Sequence, residues 1–208
     1  MDPSFFLRGL AIGFSIAAPV GPIGVLCIRR TLAEGRLCGF ASGLGAATAD
    51  AAYGCIAGFG LTAVSNLMVS QQSWLQLIGG LFLCYLGVKS FFARPAQSAA
   101  APKSGALAGA YASTFLLTLT NPMTILSFAA VFAGLGLGAR ATDYAGAALL
   151  VLGVFLGSAV WWLFLSGGVG LFREKLNDEH FRWVNRISGM IITGFGLACL
   201  MKFGQWNS

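Results

Sequence analysis

The chain has 208 residues, of which 57% are hydrophobic and only 10% charged, and 13 lysines and arginines stand against 7 acids for a formal charge of +6. Soluble domains carry roughly a quarter charged residues, so this composition excludes a soluble enzyme or binding module and implies an integral membrane protein. The excess of base then reads as a topology signal, not as a nucleic-acid footprint.

Apolar runs long enough to cross a hydrocarbon layer of about 30 Å lie at 4–28, 38–65, 72–93, 106–134, 144–171 and 185–204. None alternates polar and apolar residues as the strands of a membrane barrel do, so helices are the spanning state. The expected fold is an all-α bundle of six transmembrane helices. The first run has no basic start followed by a short apolar core and a cleavage site, and it reads as a retained helix rather than a signal peptide.

The first run is broken by "APVGPIG" at 18–24. A proline inside a helix removes a backbone donor and collides with the carbonyl four residues earlier, so Pro19 and Pro22, with Gly21 and Gly24 beside them, should open the helix. The second run holds Asp50, the one acid placed inside a span; the others fall at ends or in loops. A carboxylate in a membrane costs on the order of 3 kcal/mol to insert and normally faces a cavity, and burial disfavours its charged form, so Asp50 is the candidate proton-coupling residue. Tyr53, soon after it, is an aromatic candidate for the lining of a site.

Between the third and fourth runs lies "ARPAQSAAAPKSG", residues 93–105, the most loop-like stretch of the chain. It divides a single transporter domain, 1–208, into a first repeat 1–93, a linker 94–105 and a second repeat 106–208. Three spans is an odd number, so the second repeat must enter the membrane upside down relative to the first, as in inverted-repeat transporters. A shift of 100 positions lays Pro22 on Pro122, Leu26 on Leu126, Gly9 on Gly109 and Leu7 on Leu107. The fourth run therefore has its own break at Asn121 and Pro122, and Asn121 reads as the only asparagine within a span. Interrupted helices at matching places in two repeats are the best sequence pointer to a substrate site.

In the fifth run the spacing from Gly45 to Asp50 recurs from Gly153 to Ser158, with Trp161 and Trp162 just beyond. Gly21, Pro22, Asn121, Pro122, Tyr53, Ser158 and Trp161 are thus the candidate substrate-binding residues. Glycines four apart, at 9 and 13, 39 and 43, 54 and 58, 105 and 109, and 153 and 157, suit close helix packing within the chain or the face of a homodimer.

The loops after the first, third and fifth spans hold Arg29, Arg30, Arg36, Lys89, Arg94, Lys103, Arg173, Lys175, Arg182 and Arg186, ten of the thirteen bases. By the positive-inside rule that side is cytoplasmic and both termini lie outside. Each base reads as a topology or headgroup anchor. The five cysteines show no metal spacing and the single histidine, His180, falls in the loop 173–186, so no metal or cofactor is expected.

With these residues in view the chain resembles the LysE/RhtB family of bacterial amino-acid exporters. The likeness runs through "APVGPIGVLCIRRTLAEGRLCGFASGLGAATADAAYG" at 18–54, "LIGGLFLCYLGVKSFF" at 77–92, "STFLLTLTNPMTILSFAAVFAGLG" at 113–136, "GVFLGSAVWW" at 153–162 and "NRISGMIITGFGL" at 185–197. It implies a six-helix inner-membrane exporter of amino acids or related small metabolites, driven by the proton gradient; the termini that the charge pattern puts outside are then periplasmic. Gly21, Pro22, Asp50, Asn121 and Pro122 carry the matching motifs. The expected mechanism puts a substrate carboxylate on amides freed by the broken helices and its ammonium, or a proton, on Asp50. An ion or metal-cation permease on a related scaffold is the alternative, and it would want several oxygen ligands converging at mid-membrane. An intramembrane aspartyl protease would need two carboxylates sharing a proton.

Overall fold

The computed structural model describes residues 3–19, 21–58, 71–93, 104–121, 124–128, 144–173 and 176–206. All regular structure among them is helical. The helices are α1 (Ser4–Ala17), α2 (Pro22–Glu34), α3 (Arg36–Gly58), α4 (Gln72–Phe91), α5 (Ser104–Leu119), α6 (Tyr144–Leu171) and α7 (Asp178–Trp206), with a further helical stretch at 124–128.

Three of these are long and apolar enough to cross a membrane, over Trp74–Phe91, Tyr144–Leu171 and Glu179–Met201, and α1 with α2 makes a fourth if the bent pair counts as one span. Residues 105–119 of α5 form a shorter apolar helix. The last residues of the second and fourth expected spans, and the linker residues 94–103, lie outside the described residues.

The first span is broken where expected, and α1 and α2 make an angle of 80°. The basic loop expected after it shrinks to Gly35 at φ 104°, a backbone angle that costs a residue with a Cβ, so Arg29 and Arg30 lie within α2 and Arg36 opens α3. Arg173 Nε donates to Leu32 O at 3.0 Å and caps the end of α2. The loop expected at 173–186 is also shorter. The chain is helical again from Asp178, where Asn177 and His180 cap each other: His180 N donates to Asn177 Oδ1 at 2.9 Å and Asn177 N donates to His180 Nδ1 at 3.3 Å. That reciprocal cap satisfies two orphan donors at a helix start. Ser104 and Gly105, assigned to the linker, are already in α5.

Helix α3 is central, lying against both α5 and α6; α1 packs on α6, α4 pairs with α7, and α2 reaches α3, α6 and α7. Glycine sets the closest approaches. A Cβ on Gly9 or Gly13 would run into the backbone of Leu150 or Val154, and one on Gly153 or Gly157 into that of Phe6 or Leu10, so the two pairs face each other across the α1–α6 seam. Gly105 and Gly109 have open space instead. Large apolar side chains such as Leu81, Tyr85, Leu163 and Phe164 point outward, as a bilayer-facing surface requires.

Candidate functional site

The two interruptions come to one place. Helix α1 ends with Ala18 N donating to Phe14 O at 3.0 Å. Pro22 then opens α2 from an extended Gly21 (φ −102°, ψ −163°) that supplies no side-chain cap. Proline suits the first helical position because its missing donor has no intrahelical acceptor there, and the amides of Ile23 and Gly24 are left with no partner inside the helix. In the second half α5 ends at Leu119. Asn121 N closes the last turn on Thr118 O at 3.2 Å, and Asn121 O accepts from the amides of Thr124 and Ile125 at 3.1 and 3.2 Å as the helix resumes.

A cavity of about 420 Å³ lies between these breaks. Gly21, Pro22, Ile23 and Gly24 line it from the first, and Thr118, Thr120, Asn121, Thr124 and Ser127 from the second. Asp50 of α3, Trp162 of α6, Gly79 and Leu83 of α4, and Phe195 and Cys199 of α7 line it as well. The structure therefore brings Gly21, Pro22, Asn121 and Asp50 together, as the sequence suggests. Pro122 lies outside the described residues.

Asp50 is 3% exposed. Its Oδ2 accepts the hydroxyl hydrogen of Ser158 at 2.7 Å, and the Ser158 oxygen in turn accepts from Trp162 Nε1 at 3.1 Å. Ser158, fully buried, thus stands one bond behind the cavity and orients the carboxylate rather than lining the wall. Tyr53 also sits behind the wall. Its hydroxyl donates at 2.7 Å to Leu119 O, the carbonyl of the last residue of α5, and its ring stacks on Phe128 with centroids 5.3 Å apart. Trp161 is not among the lining residues. It meets Phe14 edge-on at 5.4 Å, because consecutive residues on a helix point about 100° apart; the tryptophan in the cavity is its neighbour Trp162.

Sequence reasoning passed over the hydroxyls of Thr118, Thr120, Thr124 and Ser127. Their signal is the run "TLTNPMTILS" at 118–127, where small polar residues bracket the break. It also passed over Arg30, which is buried, not a headgroup anchor. Arg30 Nη1 donates to Ser42 Oγ at 2.9 Å, Ala110 O at 3.0 Å and Thr114 Oγ1 at 2.9 Å, and Nη2 donates to Ser113 Oγ at 2.8 Å. Nor is Asn121 the only asparagine within an expected span, since Asn185 opens the last one. Asn185, at the edge of the last expected span, is 1% exposed; it accepts from Arg29 Nε at 3.1 Å and donates to Ala93 O at 3.2 Å. Arg29 also pairs with Glu34 at 3.3 Å.

Among known proteins, the chain is 28% identical over 199 residues to "Putative amino acid efflux protein YcgF" of Bacillus subtilis (strain 168), covering 93% of each chain. It is 29% identical over 179 residues to "Uncharacterized membrane protein YahN" of Escherichia coli (strain K12), covering 84% of this chain and 79% of that one. It is 25% identical over 150 residues to the "Threonine efflux protein" of the same organism, covering 66% of this chain and 70% of that one. No solved structure matches it. The family model for LysE type translocators matches residues 14–202, a range that contains both helix breaks, Asp50 and Ser158: the chain belongs to the LysE type translocator family, whose members are membrane transporters and not enzymes.

Proposed function

We propose that this protein exports amino acids or closely related small metabolites from the cytoplasm by proton antiport, using the cavity between the two broken helices. The observation that carries the reading is the juxtaposition of Asp50, held by Ser158, with the uncapped start of α2 and the break at Asn121 in one cavity. The efflux activities named for the relatives agree with it.

In this mechanism the substrate carboxylate sits at the start of α2, where free amides and the helix dipole favour negative charge, and the ammonium sits on Asp50. A proton entering from outside competes with the ammonium for Asp50, which couples the two fluxes. The chain forms six spans as two inverted repeats with both termini periplasmic, and rocking of one repeat against the other alternates access. The packing pattern supports this arrangement. Helix α1 packs on α6 as α5 packs on α3, while α3 meets α6 and α4 meets α7, the pattern expected if a two-fold operation exchanges the halves. An ion permease finds less support: among the described lining residues the cavity offers a single carboxylate, and hard cations take several oxygen ligands.

The test is efflux of radiolabelled amino acids from loaded proteoliposomes, with and without an opposing pH gradient, beside an Asp50→Asn variant. Gradient-driven efflux that the variant loses is the expected result. Wild-type efflux from Asp50→Asn under the same gradient would remove Asp50 from the coupling.

A further inference from the structure

The geometry points to a substrate with no net charge and an uncharged, apolar side chain of moderate size. This rests on the reading of the cavity as the transport site. Among the described lining residues Asp50 is the only acid, and no lysine, arginine or histidine is present.

The lining carries two unlike sets of groups. In the polar set Thr118 Oγ1 donates back to Thr114 O and Thr120 Oγ1 back to Leu116 O, both at 2.9 Å. Their protons are spent on their own helix, so what they offer a ligand is oxygen lone pairs, as the Asp50 carboxylate does. That set suits an ammonium. Donors for the matching carboxylate come from the start of α2, where Ile23 and Gly24 line the same space. An α-amino acid backbone therefore meets both the carboxylate and the amides at the start of α2 in this lining.

The apolar lining, with Leu83, Phe195 and Leu117, is left for the side chain. Gly79 holds α4 close to the second break, since a Cβ there would come within 3.0 Å of Thr120 O, and Leu83, only 5% exposed, lines the cavity from the same helix. A lysine side chain would bring a second ammonium with no second carboxylate to meet it. A glutamate side chain would bring a negative charge into a cavity whose one fixed charge is a carboxylate. Charges left unpaired in a low-dielectric site are rejected far more strongly than a change of one methylene. About 420 Å³ is near the lower end of small-molecule sites, about 300–1,000 Å³.

Counterflow in proteoliposomes holding the full chain tests this, with leucine, methionine, valine, phenylalanine, lysine and glutamate each supplied as the labelled species. Leucine, methionine and valine should exchange within about tenfold of one another, and lysine and glutamate at least about tenfold more slowly than leucine. In Leu83→Ala, phenylalanine should gain about tenfold relative to valine while lysine and glutamate stay excluded. Lysine or glutamate exchanging as fast as leucine overturns the charge inference and leaves the export reading standing. A phenylalanine-to-valine ratio unchanged in folded Leu83→Ala overturns the assignment of the apolar lining at Leu83 to the side chain. No counterflow with any amino acid, from wild-type protein that shows a cooperative melt in detergent, overturns the export reading and this inference together.

Discussion

Ser158 gives its hydroxyl hydrogen to Asp50 Oδ2 across 2.7 Å, from a position 108 residues further along the chain. The two residues follow glycines at the same spacing in their helices, Gly45 and Gly153, and meet where α3 crosses α6. Trp162, one turn beyond Ser158, supplies the next bond in the series. Replacing Ser158 by alanine leaves both the carboxylate and the indole N–H short of a partner. Ser158→Ala should lower stability by about 1–3 kcal/mol, read as the chemical or thermal unfolding midpoint in detergent, while Ser158→Thr keeps the hydroxyl and recovers most of it. Equal midpoints for wild type and Ser158→Ala would show that the bond contributes nothing.

The α1–α6 seam depends on hydrogen atoms where other residues have a Cβ. Gly13→Ala and Gly157→Ala each push a methyl group into backbone, against Val154 and Leu10 respectively, and backbone does not move aside as a flexible side chain does. Each should cost about 1–3 kcal/mol through overpacking. Gly109→Ala and Gly168→Ala, with open space around them, should lie within about 0.5 kcal/mol of wild type. Side-by-side melts of the four variants check the contrast, and similar losses in all four would refute the seam as the cause.

Arg30 ties α2 to α3 through Ser42 and to α5 through Ala110, Ser113 and Thr114. A lysine ammonium cannot spread over four acceptors as a planar guanidinium does. Arg30→Lys should therefore destabilise the protein by about 1–3 kcal/mol. Arg186→Lys, which changes a residue on the exposed face of α7, should be neutral. A headgroup anchor would tolerate both exchanges equally, so matching melts would return Arg30 to that role.

Tyr53 satisfies the Leu119 carbonyl at the end of α5. In hydrocarbon such a carbonyl has no water to turn to. Tyr53→Phe should cost about 0.5–2 kcal/mol, the range of side-chain bonds inside membrane bundles, with the Phe128 stacking retained. No loss of stability would mean that Leu119 O finds another donor.

Some of this was legible in the residues alone, because its cause is local. Proline removes a donor wherever it falls, so the break before Pro22 follows from the residue itself, as does the membrane class from the shortage of charge. A lone carboxylate in an apolar run must find a partner or a cavity, and Asp50 has both. The run 144–171 coincides with α6 as the structure describes it, and no charged residue interrupts it.

The remainder depends on what lies across the fold. Trp161 and Trp162 are equivalent in sequence, and only the rotation of α6 against α3 sends Trp162 to the cavity and Trp161 to Phe14. Arg30 looks like any base at the end of a span until α3 and α5 close over it with four acceptors, since a charge is an anchor or a buried strut according to the neighbours it meets. Thr118 and Thr120 became part of the site only when the break after α5 was laid opposite the break before α2. Hydropathy and proline act through the chain's own backbone and solvent, so sequence carries them; the pairing of polar groups hundreds of atoms apart is set by which helix faces touch, and that was decided by tertiary packing.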